Sequence, residues 1–155
     1  MVQQTVERAV TIEAPVETVF QFWLDFQRFS TLLSDVRRVD LLDNHRSQWE
    51  VAAPFSTTVA FVATTKRIEP NALIEWASEH GAGMDTVESG GTLRFERTGP
   101  DDQHTLVSLY FHFEVPSAAA QQVVGMLRAL GYPDRAFDRN LKKIKSLIEA
   151  DTLVT

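Results

Sequence analysis

From residue 36 to residue 115 the chain alternates apolar and polar side chains almost without a break, and this long period-two block limits the fold more than any motif does. Six segments carry it: Val36 to Leu42, Gln48 to Ala53, Thr57 to Glu69, Ala72 to Ser78, Gly91 to Thr98 and His104 to Val115. Between them stand "DNH", "APFS", "EPN", "EHGAG" with the polar residues after it, and "GPDDQ", which are rich in turn-forming Gly, Pro, Asn and Asp. Segments joined by loops this short pair antiparallel, because a parallel neighbour needs a crossover of about a dozen residues or more. Val6, Arg8, Val10 and Ile12 alternate with Glu7, Ala9 and Thr11 and add a first strand, so the pattern predicts a sheet of about seven strands.

Helical spacing brackets this block. Pro15 suits a first helical position, where its missing N–H is not needed, and Glu17 suits the positive end of the helix dipole. Val16, Val19, Phe20 and Trp23 then fall at i, i+3, i+4 and i+7, and Phe22, Phe26 and Phe29 widen the apolar face. Two short helices are expected before the second strand. After Pro116, Ser117 suits an N-cap, and Val123, Met126, Leu127 and Leu130 share a face up to Gly131. Pro133 and Asp134 open a longer helix, expected to run to about Asp151. In it Phe137, Leu141, Ile144 and Ile148 recur at four, three, four, with Asp138 and Lys142 paired on the wet side. About 18 residues give roughly 27 Å of helix, enough to cross the concave side of a curved sheet.

Composition narrows the function. A chain of 155 residues without repeats or low-complexity linkers is expected to form one domain, 1–155. The absence of Cys excludes disulfides and thiolate chemistry and suits a reducing cytoplasm. A net charge of -6, with "KKIK" the one basic run, argues against nucleic acid and anionic membranes as partners. No stretch approaches the apolar length of a membrane span, and the first residues carry no signal-peptide core. The four His at 45, 80, 104 and 112 lack ligand spacing, so no metal is expected. Nothing matches a nucleophile elbow, a phosphate loop or a dinucleotide fingerprint, so no cofactor is expected either.

The opening "VERAVTIEAPVETVFQFWLDFQRFS", the strand "IEWAS", the pair "GGTLRFERT" and "HTLVSLYFHFEVP", and the closing "LGYPDRAFDRNLKKIKSLIE" succeed one another over nearly the whole chain. In that order they resemble the START/Bet v 1-like (SRPBCC) superfamily, in particular its bacterial polyketide cyclase/dehydrase-like branch. The resemblance implies an α+β helix-grip fold: a curved antiparallel sheet around a long C-terminal helix, with two short helices after strand 1. It also implies a pocket for an apolar small molecule between sheet and helix, with the short helices at its mouth.

Strand parity nominates the lining. Trp49 and Val51, then Val59, Phe61, Ala63, Thr65 and Arg67, then Ile74, Trp76 and Ser78 point inward, followed by Leu93, Phe95 and Arg97 and by Thr105, Val107, Leu109, Phe111 and Phe113. From these and the two helices, Trp23, Phe61, Trp76, Phe95, Leu109, Phe111, Phe137 and Leu141 are the expected ligand-binding residues. Thr65, Arg67, Ser78 and Arg97 are the polar candidates. The aromatic stripe on the first helix also fits plain core packing.

Two functions compete. One is binding or transport of a lipid, quinone or polyketide-like molecule in an internal cavity, compatible with a monomer or a homodimer. The other is a polyketide cyclase or dehydratase, in which a pocket group moves a proton. The inward residues are poor in acids and bases, which favours binding and nominates no catalytic residue.

Overall fold

A computed structural model describes residues 2–53, 57–79, 89–115 and 134–154. Strand β1 (Val2–Ile12) leads into helix α1 (Val16–Leu24), a 3-10 turn (Phe26–Arg28) and the one-turn helix α2 (Phe29–Leu32). Six strands come next: β2 (Val36–Leu41), β3 (Arg46–Ala53), β4 (Thr57–Glu69), β5 (Leu73–Glu79), β6 (Ser89–Thr98) and β7 (His104–Val115). Helix α3 (Asp134–Val154) ends the described chain. The helix expected between Ser117 and Gly131 lies outside the described residues.

The strands form one antiparallel sheet in the order β1-β7-β6-β5-β4-β3-β2, curled into a half-barrel. Together with the helices it is the helix-grip α+β fold that the sequence predicts. Period two sorts the faces. Val6, Ile12, Leu93, Phe95, Val107 and Leu109 are buried on the concave side, whereas Glu7, Thr11, Arg94, Glu96 and Tyr110 meet water on the convex side.

Turn chemistry sets the strand ends. Asp43 closes the β2–β3 hairpin, one carboxylate oxygen accepting the N–H groups of His45 and Arg46 and the other the Arg46 side chain, each at 2.8 Å. The three contacts pull its pKa down from 3.8 to about 2. Leu42 belongs to this turn and not to β2, and β3 starts earlier than alternation suggested. Asn71 (φ 61°), Gly99 (φ 79°) and Asp102 (φ 55°) take left-handed backbone in the β4–β5 and β6–β7 hairpins, where Gly, Asn and Asp are tolerated best. Pro15 stands one position before the first helical residue, as the N-cap of α1.

Helix α3 lies on the sheet with Leu141, Ile144 and Ile148 buried. Polar side chains tie it to both rims of the half-barrel. At β1, Arg8 reaches Asp134 at 2.9 Å and Asp138 at 2.8 Å, and Lys145 donates to the Thr11 carbonyl at 2.9 Å. Glu149 accepts the Glu13 N–H at 2.8 Å and Lys145 at 2.5 Å. Burial raises the Glu149 pKa, but these two contacts outweigh it and hold it below its ordinary 4.5. At the opposite rim Arg139 reaches Asp35, just before β2, at 2.5 Å.

Candidate functional site

Among the described residues the concave side divides into a packed half and an open half. In the packed half Phe20 meets Phe95 edge-on at 5.2 Å between centroids, and Trp23 meets the same ring at 5.8 Å. Ile12, Val19, Val107, Ile144 and Ile148 fill the space around them, all buried. Thr105 is fully buried here, at 0% exposure, and its hydroxyl donates to the Ala14 carbonyl at 2.8 Å. Of the residues expected to bind a ligand, Trp23, Phe95, Leu109 and Leu141 belong to this core.

The open half is a wall of large apolar side chains that face inward and are only partly covered: Trp49, Val51, Ile74, Trp76, Phe111 and Phe137. Helix α3 and β7 contribute the Phe111–Phe137 ring pair, 5.3 Å apart. Trp49 anchors the other end. Its indole N–H donates to Ser47 at 2.8 Å, Phe26 stacks on it at 5.7 Å and 26°, and Phe29 meets it edge-on. The 3-10 turn and α2 thus reach β3 through Phe26 and Phe29. Phe61 pairs through its backbone with Trp49, and its side chain lies outside the described residues.

Trp76 occupies the middle of the wall, in a cross-strand row that runs Val6, Phe111, Gly91, Trp76, Thr65. Thr65 is half-buried beside it. Ser78 is half-buried too, but its hydroxyl is engaged with Ser89: it accepts the Ser89 N–H at 2.9 Å and donates to the Ser89 carbonyl at 3.1 Å, clamping β5 to β6.

The two arginines leave the interior, each for its own reason. A β-bulge between Thr65 and Arg67 inserts Lys66, so Arg67 stands opposite Glu75 and Ile68 opposite Ile74, where it is still 47% exposed. Arg67 is 59% exposed and pairs with Glu69. Arg97 keeps the expected register, opposite Thr105, but lies at the strand end, 52% exposed and paired with Glu17 in the first turn of α1.

Arg8 is the polar residue that site reasoning passed over. It sits in the inward row of β1, and its guanidinium bonds the Glu7 carbonyl at 2.8 Å as well as the two aspartates that flank Phe137. A cation in an otherwise apolar alternation, with Asp134 and Asp138 one turn apart on a helix, was the available signal.

The convex face carries a separate open depression of about 300 Å³ lined by Glu7, Thr92, Arg94, Ser108 and Tyr110, among others. It belongs to the wet side, and the sheet separates it from the aromatic wall. Among the described residues no three His, Asp or Glu side chains converge as a metal site would require, and no helix is long and apolar enough to cross a membrane.

Comparison with known proteins agrees with this architecture. The family described as polyketide cyclase/dehydrase and lipid transport matches residues 3–149. An uncharacterized 17.2 kDa protein of Streptomyces lincolnensis is 26% identical over 144 residues, covering 93% of this chain and 89% of that protein. Among solved structures, the Zhui aromatase/cyclase of Streptomyces sp. R1128 superposes with a TM-score of 0.80 at 17% identity, over 96% of this chain and 94% of its own. A START superfamily protein of Mycobacterium smegmatis superposes with a TM-score of 0.71 at 16% identity, over 94% and 97%.

Proposed function

We propose, from the premise that this chain belongs to the polyketide cyclase/dehydrase and lipid transport family, that it holds an apolar small molecule against its aromatic wall and does not transform it. The observation that carries this reading is the incomplete cover, among the described residues, over Trp49, Trp76, Phe111 and Phe137, all inward-facing. Apolar side chains on the concave face of a sheet are normally covered by the elements packed on it. Where they are not, a ligand that covers them removes apolar surface from water. At about 25 cal/mol per Å², a ligand burying roughly 300 Å² gains about 7 kcal/mol before ordering costs.

Catalysis asks for a group of suitable pKa within hydrogen-bond reach of a reacting atom. Among the described residues the inward strand positions carry the hydroxyls of Ser47, Thr65, Ser78 and Thr105, three of which already bond protein partners, and the guanidinium of Arg8, which Asp134 and Asp138 hold. Arg67 and Arg97, the inward titratable candidates, pair on the surface. A lipid, quinone or polyketide-like occupant suits such a wall.

Native mass spectrometry of the protein purified from its own host tests the reading, paired with titration of the fluorescent probe N-phenyl-1-naphthylamine. A co-purifying apolar mass, and probe binding weakened tenfold or more in Trp76→Ala, are expected. Probe binding untouched by Trp76→Ala would remove the wall from the site. Turnover of a linear poly-ketone by the wild-type protein would replace binding with a cyclase activity.

A further inference from the structure

We infer that Gly91 sets the depth of the proposed site by letting Trp76 lie down on the sheet, and that the site is thereby shaped for a bulky ring system and not a slender one. The inference rests on the binding reading above. Trp76 and Gly91 are direct cross-strand partners on β5 and β6. A Cβ built on Gly91 would come within 2.4 Å of Trp76 Cζ2 and 2.6 Å of Cη2, so the six-membered edge of the indole fills the place of the missing side chain. Its third neighbour is the Tyr110 carbonyl oxygen at 2.8 Å, which belongs to the β7 backbone and cannot rotate away.

Backbone conformation does not require glycine here, since among the described residues the left-handed glycine is Gly99. Nor does strand stability: an interior glycine costs a strand roughly 0.5–1 kcal/mol relative to Ala. Space is what glycine provides. An aromatic ring over a cross-strand glycine recovers part of that cost by covering the bare backbone, and pure stabilisation is the competing explanation. The two differ in what the open side of the indole does. Trp76 is half-buried and stands between Thr65 and Gly91 in its row, with Phe111 beyond. Ordinary van der Waals contact begins at 3.4 Å, so a methyl group at residue 91 drives the ring about 1 Å or more off the sheet, into the volume a ligand would fill.

Titrations of N-phenyl-1-naphthylamine, a bulky probe, and 1-naphthol, a slender one, against wild type and Gly91→Ala test this, alongside the indole N–H resonances of the labelled protein. In Gly91→Ala the bulky probe should bind at least tenfold more weakly and 1-naphthol less than threefold, with one indole resonance, assigned by Trp76→Phe, displaced. Equal affinity of a folded Gly91→Ala for the bulky probe would overturn the inference and leave the binding reading intact; a wild-type protein that binds neither probe would overturn both. Should Gly91→Ala fail to fold, Gly91→Ala/Trp76→Phe is compared with Trp76→Phe alone. Matching affinities for the bulky probe are expected, because the smaller ring leaves room for the methyl group on the indole side and a small shift of β6 against β7 eases its 2.8 Å approach to the Tyr110 carbonyl. A tenfold deficit persisting in the double variant would overturn the inference, since the effect would then not run through the indole.

Discussion

Truncating one phenylalanine in each half of the concave face tests the division between them. Phe20 is 2% exposed and touches the Phe95 ring edge-on, so Phe20→Ala removes a whole buried ring and leaves a cavity that rigid neighbours refill poorly. The expected cost is about 4 kcal/mol, of which the aromatic contact supplies about 1. Phe111 sits in the same sheet with a ring partner at a similar distance, Phe137, but is only half-buried. Roughly half the transfer term is lost, and the space left behind opens to water, so Phe111→Ala should cost about 2 kcal/mol. In urea melts followed by far-UV circular dichroism, a slope of about 2 kcal/mol/M turns these into midpoint losses of roughly 2 M and 1 M. Equal costs, or a larger cost for Phe111, would refute the claim that the wall around it is open.

Three further outcomes rest on individual contacts. Thr105→Val leaves the Ala14 carbonyl buried without its donor, and denaturant melts should show a loss of about 1–3 kcal/mol despite the similar shape of the side chain. The lowered Asp43 pKa favours the folded state above about pH 4, and this contribution fades as the pH falls toward 2; melting temperatures across that window should fall less steeply for Asp43→Asn than for wild type. Arg8→Ala removes both links to Asp134 and Asp138, each partly exposed, so global stability should change by about 1 kcal/mol or less while amide exchange in the first turns of α3 accelerates by up to about fivefold.

Strand parity was legible because one face of the sheet is wet: Ser108 and Tyr110 alternate with Val107 and Leu109, and any one-residue slip would have exposed the core. The bulge at Lys66 left no such mark. One inserted residue among "ATTKRIE" changes neither composition nor hydrophobicity, yet it shifts the parity of every residue after it, which is why Arg67 stands in the outward row opposite Glu75. Arg97 shows a different limit, since a long side chain at a strand end can hold the inward register and still carry its charge to water. Alternation tells which face a residue takes and not how well other elements cover that face. Trp23 and Trp76 therefore looked alike in sequence, although helix α1 buries one in the core and the other remains half-covered.

The pairing of the first strand with the last has a consequence for synthesis on the ribosome. Ile12 finds its partner only at Thr105, so β1 emerges some 90 residues before the strand that completes it. At about 5–20 residues per second, that separation lasts roughly 5–20 s. Throughout it β1 is an unpaired strand, with Val6, Val10 and Ile12 uncovered and both backbone edges free to template on a neighbouring chain. Glu7 and Arg8, set in the middle of that strand, interrupt the apolar run with opposite charges, the kind of gatekeeper that discourages association of nascent chains. The arginine that fastens α3 to the rim is thus also one of the two charges that break the apolar run of β1.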